Sequence, residues 1–271
     1  MIIKFLGTSA GWPLPRLGCK CTICSSKDPK DTRGRTQILI DGRVLLDAGP
    51  ETYHHLKNED IAKLEAILIS HEHPDHILGL WDLPHIYGRK ETGLNNINLY
   101  VTQPVLNGIR KIFQRDFGPI KPIVVSENQT FAIGNAKVTY IPVIHGNTPA
   151  YAIKYKETSA LRSSTSSAGL KDGKIFTYIT DFNRILPSSQ TQIRHSHVIA
   201  LDGSSLGKIG QGPGHISIKD GIIIGKNLKA KEVYFVHIGH KTDTHRNLEE
   251  FLAQKSPPNF HAAFDGLEVS L

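Results

Sequence analysis

Residues 66–76 read Ala-Ile-Leu-Ile-Ser-His-Glu-His-Pro-Asp-His, an apolar run that ends abruptly in three imidazoles and two carboxylates. Ala66 to Ile69 has the composition of a short buried strand. The segment that follows cannot be packed core, because such crowding of hydrogen-bonding groups is costly without a cation. Imidazole and carboxylate together suit zinc, iron or manganese. A sharp turn at the strand end, helped by Pro74, lets His71 and His73 face one ion while Asp75 and His76 face another.

One loop cannot complete two coordination shells, so further ligands must come from later strand ends. His145 follows the apolar run Thr139–Ile144, Asp181 follows Ile175–Thr180, and His237 follows Val233–Val236. Singly, each reads equally well as a loop polar residue. Together they supply what the first loop lacks.

Outward from this centre, β-branched runs alternate with turn signals. Strands are expected at Ile2–Leu6, Gln37–Ile40, Val44–Asp47 and Ala66–Ser70, then Gln129–Ile133, Lys137–Val143, Ala150–Tyr155, Lys174–Thr180, His197–Leu201, Glu232–Val236 and Phe260–Val269. Asp41-Gly42 and Gly134-Asn135 mark hairpins. Helical pattern is expected after residue 76 and at Pro104–Arg115, Ser217–Leu228 and Asn247–Gln254. Strand clusters followed by helices fit one domain of sheets covered by helices, spanning residues 1–271. The serine-rich stretch from Glu157 to Gly173 reads as a long hairpin loop, either a solvated insertion or a lid over the site.

The chain has 271 residues, 39% hydrophobic and 21% charged, enough to bury a sizeable core. The first residues lack the apolar run of a secretion signal, and no window has the length of a membrane span, so a cytoplasmic location is expected. The net charge of +7 suits anionic partners and equally a surface kept soluble by repulsion. The densest basic stretch, Lys27 to Arg35, is diluted by two aspartates. A nucleic-acid module would show a longer run or interleaved aromatics.

Cys19, Cys21 and Cys24 are the only cysteines. Their odd number, without a secretion signal, argues against a disulfide framework. Three thiolates so closely spaced suit one tetrahedral structural zinc with a fourth ligand. His240 is the best candidate, since an odd offset from His237 on an ending strand would turn the two side chains to opposite faces. Three reduced thiols or a redox cysteine are the alternatives.

The segment HEHPDH matches the HxHxDH signature of metallo-β-lactamase-fold hydrolases. That resemblance implies an α/β (α+β) chain folded as a four-layer αββα sandwich. It implies that His71, His73 and His145 hold one divalent ion, zinc or manganese, and that Asp75, His76 and His237 hold a second. Asp181 would bridge the two, with Asp75 also catalytic. Asp47 resembles the family's aspartate that orients ligands without binding metal; it reads almost as well as a carboxylate closing a hairpin.

Further segments narrow the resemblance: GTSAG at 7–11, GCKCTIC at 18–24, GPGHISI at 212–218, VHIGH at 236–240 and FDGLEV at 264–269. Together they resemble the phosphoribosyl cyclic phosphodiesterases of phosphonate breakdown, from the first strand to the last. The resemblance implies hydrolysis of a small anionic cyclic phosphodiester, a structural zinc on the cysteines and His240, and proton donation by His215. His215 also reads as a helix-start histidine without chemistry. The related tRNA 3′ endonucleases generally lack the cysteines, and no tRNA-gripping arm is visible, so nucleic acid is the less favoured substrate. The quinone-cofactor biosynthesis branch carries a similar cysteine motif. The loop 157–173 has no counterpart in the pattern. Substrate identity, native metal and oligomeric state, a homodimer included, stay open at this level.

Overall fold

A computed structural model describes residues 1–114, 116–158, 173–207 and 214–271 of the protein. The chain forms two seven-stranded sheets. The first contains β1 (Ile2–Gly7), β2 (Gln37–Ile40), β3 (Val44–Leu46), β4 (Ala66–Leu68), β5 (Ile97–Thr102) and β6 (Ile120–Val125). The second contains β7 (Thr130–Ile133), β8 (Ala136–His145), β9 (Thr148–Glu157), β10 (Ile175–Ile179), β11 (Val198–Asp202), β12 (Glu232–Val236) and β13 (Phe260–Ala262). A final strand, β14 (Glu268–Ser270), crosses back and pairs antiparallel with β1. In each sheet one half is antiparallel and the other parallel: β3 to β6 in the first, β10 to β13 in the second.

Side-chain alternation assigns the layers. Along β11, Val198 and Ala200 join the core between the sheets, whereas Ile199 and Leu201 join the core beneath the outer helices. The outer helices are α5 (Pro187–Ile193), α6 (Ile218–Leu228) and α7 (His245–Lys255), whose Ile193, Ile222 and Leu252 are buried there. On the first sheet, α4 (Gln103–Phe113) buries Val105, Leu106 and Ile109. The shorter α1 (Thr52–His55), α2 (Asn58–Lys63) and α3 (Pro74–Ile77) flank it. The architecture is the αββα sandwich implied by the sequence. Among the described residues, no helix is long and apolar enough to cross a membrane.

Several expectations need correction. The run Phe260–Val269 is not one strand: Asp265-Gly266 makes a turn, with Gly266 at φ 88°, that carries the chain from one sheet to the other. The strands expected over Val44–Asp47 and Ala66–Ser70 stop at Leu46 and Leu68. Helix begins inside the motif rather than after it, with Pro74 as first residue of α3, where its missing N–H costs nothing. β5, β6, α1, α2 and α5 lie outside the expected set. From the expected loop over 157–173, residues 159–172 lie outside the described residues, as do Gly212 and Pro213 of GPGHISI.

A buried charged cluster joins distant parts of the chain beside the site. Arg33, 1% exposed, donates to Thr8 Oγ1 at 2.8 Å and to the Ala263 carbonyl. Thr8 in turn donates to Asp265 Oδ1 at 2.6 Å, and the Gly34 N–H donates to Oδ2 at 2.6 Å. Burial pushes the Asp265 carboxyl up to about 6, against these hydrogen bonds and the nearby Arg33 charge. A group whose pKa is raised on folding stabilises below its unfolded value and loses that contribution as pH rises through the folded value. Relative to Asp265→Asn, the wild-type protein should therefore lose stability as pH rises from 3.8 to about 6. Urea unfolding across that window checks it; parallel pH profiles for the two proteins would contradict the assignment.

Candidate metal centre

The residues singled out in the sequence converge at the carboxyl ends of the strands. Asp47 follows β3, the motif follows β4, His145 ends β8, Asp181 follows β10 and His237 follows β12. Three of them leave their strands through left-handed backbone: Asp47 at φ 59°, Asp181 at 53° and His237 at 57°. Such conformations cost about 1–3 kcal/mol each in non-glycine residues. The turn swings each side chain off its sheet toward a common mouth.

His71, His73, His145 and Asp181 offer ligand atoms within 4.8 Å of one another, and so do Asp75, His76, Asp181 and His237. Asp181 belongs to both groups and lies between them. Its Oδ2 is 3.2 Å from His76 Nε2 and 3.2 Å from His237 Nε2, while Oδ1 is 3.8 Å from His71 Nε2. Asp75 Oδ2 is 3.2 Å from His76 Nε2 and 3.6 Å from His237 Nε2. His145 Nε2 and His73 Nδ1 face each other at 3.2 Å.

The outward ring nitrogens are fixed by protein partners. His76 Nδ1 lies 2.7 Å from Asp47 Oδ2, His71 Nδ1 3.0 Å from Ser70 Oγ, and His145 Nδ1 2.6 Å from the Gly214 carbonyl. With one N–H on its partner, a neutral ring can turn a lone pair inward. Burial opposes charge on His76, yet Asp75, Asp181 and Asp47 hold it well above the usual imidazole range, so it must give up its inward proton to bind an ion. Asp47 is the hub. Its carboxylate also accepts from Ser70 N at 2.7 Å, Ser70 Oγ at 2.9 Å and the Tyr178 hydroxyl at 2.8 Å. Fully buried, it ties the motif loop to the end of β3.

The donor set fits divalent cations. Nε2 of His71, His76 and His237 are buried without a hydrogen-bond partner, although each faces Asp181. Burial, then the neighbouring His76, keeps His71 well below the usual imidazole range, so it is neutral as a ligand must be. Burial opposes ionisation of Asp181, but His237 and then His76 outweigh it and hold the carboxyl well below its usual range. Neutral imidazoles and ionised carboxylates are the forms that coordinate zinc or manganese.

His215 closes the site from the α6 side. Its Nδ1 is 3.0 Å from Asp202 Oδ2 and 3.6 Å from Asp181 Oδ1, and the side chain is 29% exposed. Burial lowers its pKa, yet the Asp202 hydrogen bond and charge, with Asp181 and Asp75, push it up to about 9. Asp202 also accepts from the Asp181 N–H at 3.1 Å. This residue escapes the sequence reading because it ends the apolar run VIALD as a lone carboxylate. Its place at a strand end beside Asp181 was the available signal.

The cysteines form a separate group with His240, again with ligand atoms within 4.8 Å. Cys19 Sγ lies 3.6 Å from His240 Nδ1. Hydrogen bonds from Cys21, then His240, lower the Cys19 thiol to about 6, while burial raises Cys24 to about 11. The separation of His237 from His240 has a different origin from the alternation expected. β12 ends at Val236, and the left-handed His237 turns the chain before Gly239 and His240.

Residues 42–238 match the beta-lactamase superfamily domain. The chain belongs to the beta-lactamase superfamily. Among curated relatives of this superfamily member, an octanoyltransferase from Porphyromonas gingivalis is 27% identical over 97% of this chain, which spans 50% of that protein's length. The coenzyme PQQ synthesis protein B of Methylobacterium radiotolerans is 25% identical with both chains fully covered. Ribonuclease BN of Escherichia coli is 27% identical over 74% of this chain and 65% of its own. Among solved structures, a diphosphatase from the PhnP family superposes with a TM-score of 0.81 at 28% identity, covering 100% of this chain and 97% of that one. The family match and the likeness to that diphosphatase support a metal-dependent hydrolase.

Asp47→Asn should weaken divalent-ion affinity by about 10–100-fold, because the amide cannot accept from both His76 and Ser70. Competition with a chelator, read against circular dichroism of the same protein, measures this. Undiminished affinity in a folded variant would remove Asp47 from its orienting role.

Proposed function

We propose that this protein is a two-metal phosphodiesterase that hydrolyses a small cyclic phosphodiester, such as a phosphoribosyl cyclic phosphate. The observation that carries this reading is the pair of four-ligand groups sharing Asp181. His71, His73, His145 and Asp181 would hold one ion, and Asp75, His76, Asp181 and His237 the other, zinc or manganese by donor type. Bound there, the cations lower the pKa of water and neutralise charge on phosphoryl oxygens. The strands of β14 and β1, from opposite chain ends, pair directly, which supports reading residues 1–271 as one folding unit.

The chain's own groups then divide the proton work. Asp75, with 15% of its side chain exposed, holds the attacking water at the mouth of the site by hydrogen bond. The water, its proton released to solvent at the open mouth, attacks phosphorus in line with the departing sugar oxygen, whose bond to phosphorus breaks. His215 donates Nδ1–H to Asp202, which leaves its Nε2–H to protonate the leaving alkoxide. Asp202 thus orients His215 and favours its protonated form.

The cysteine group supports a structural zinc held by Cys19, Cys21, Cys24 and His240, which would pin the amino-terminal loop to the turn after β12. Cys21→Ser should then lose one zinc per chain and melt at lower temperature. Unchanged zinc content and melting would leave only free thiols.

A second reading, an RNA-processing nuclease, draws support from the likeness to ribonuclease BN and the net charge of +7. Cleavage of precursor tRNA with steep salt dependence would favour it.

A screen of cyclic phosphates and tRNA on metal-reconstituted protein separates the two. With an alkoxide leaving group, His215→Ala should lose roughly 10²–10⁴-fold in kcat while keeping its metal. With a p-nitrophenyl leaving group, which needs no proton, the loss should be less than about tenfold. Equal losses on both substrates would contradict proton donation by His215.

A further inference from the structure

A cavity of about 570 Å³ opens between α1, α2 and the 3-10 turn Leu83–His85, on the outer side of the first sheet. That volume falls within the range of small-molecule sites. None of the residues assigned to the metal centre or the cysteine group lines it, so it is a separate place on the molecule. Leu56, Ile61, Ile86 and Leu94 give it an apolar lining.

Its walls are held by the protein's own hydrogen bonds. Thr52, 1% exposed, donates from Oγ1 to the Gly49 carbonyl at 2.6 Å and accepts from Gln37 Nε2 at 2.8 Å. The Tyr87 hydroxyl donates to the Ile61 carbonyl at 3.3 Å, which ties α2 to the segment after the 3-10 turn. On the far side, Thr92 Oγ1 donates to the Ile86 carbonyl at 2.6 Å, and the Gly88 N–H donates to the Leu94 carbonyl at 2.7 Å. Walls braced on three sides are preorganised, so binding costs little in ordering them.

Charge on the lining runs against the charge of the whole. The chain carries 32 lysines and arginines against 25 aspartates and glutamates, yet no lysine or arginine lines this cavity among the described residues. Two carboxylates do, Asp82 and Glu91. Neither pairs with a lysine or arginine among the described residues. The Tyr53 ring, 59% exposed, stands at the rim.

We infer that this cavity binds an amphipathic organic cation, an ammonium group carried on an aliphatic body. The aliphatic body removes the lining of Leu56, Ile61, Ile86 and Leu94 from water, and the ammonium group faces Asp82 and Glu91. Tyr53 adds cation–π attraction at the entrance. Such binding involves none of the groups assigned to hydrolysis, so it stands or falls apart from the phosphodiesterase reading.

Calorimetry on the zinc-reconstituted full chain, with octyltrimethylammonium below its micellar concentration as probe, tests this. A single saturable site per chain is expected. Choline, which lacks the alkyl body, should bind more than about tenfold more weakly. Uncharged n-octanol should bind roughly three- to tenfold more weakly than the cation. Ala62, exposed on α2, also lines the cavity, so Ala62→Trp should fill it and abolish binding with the circular dichroism unchanged. Asp82→Asn combined with Glu91→Gln should weaken the cation roughly three- to tenfold and leave n-octanol unaffected. Equal binding of cation and n-octanol, undiminished cation binding in the double carboxylate variant, or saturable binding that survives in folded Ala62→Trp would overturn the assignment.

Discussion

A buried imidazole nitrogen without a hydrogen-bond partner costs about 1–3 kcal/mol, and this fold buries three of them around a single carboxylate. Nε2 of His71, His76 and His237 all face Asp181, in a region that water does not reach. As neutral ligands the rings of His71 and His76 direct their other nitrogens to Ser70 and Asp47, so nothing donates from them to that carboxylate. The proposed cations, one on each side of Asp181, would resolve the conflict. The rest of the molecule is arranged to keep those atoms in place.

That arrangement works through strand ends. Asp47, Asp181 and His237 each adopt a left-handed backbone directly after their strands. The sheets beneath supply the rigidity that such conformations need. Tyr178, fully buried, ties the second sheet to Asp47 in the first, so the two halves of the site share one hydrogen-bonded hub. Arg33 and Asp265 do a similar job around the other side, joining the segment after the cysteines to the turn between β13 and β14.

Much of this was legible in residue order. HEHPDH after an apolar strand, and single His or Asp residues closing later strands, mark ligands because metal chemistry needs unlike segments to end at one place. The cysteine spacing was equally plain. What escaped notice did so for physical reasons. Asp202 sits at the end of an apolar run with no second polar neighbour, so only its pairing beside β10 exposes its link to His215. α1, with four residues, is too short for periodicity, and α5 is mostly polar.

The account stands or falls on where cations sit. Anomalous diffraction from zinc- or manganese-loaded crystals should show two peaks flanking the Asp181 carboxylate, one reached by His71, His73 and His145, the other by Asp75, His76 and His237. A single peak away from Asp181, or none with these side chains in the positions described, would contradict it.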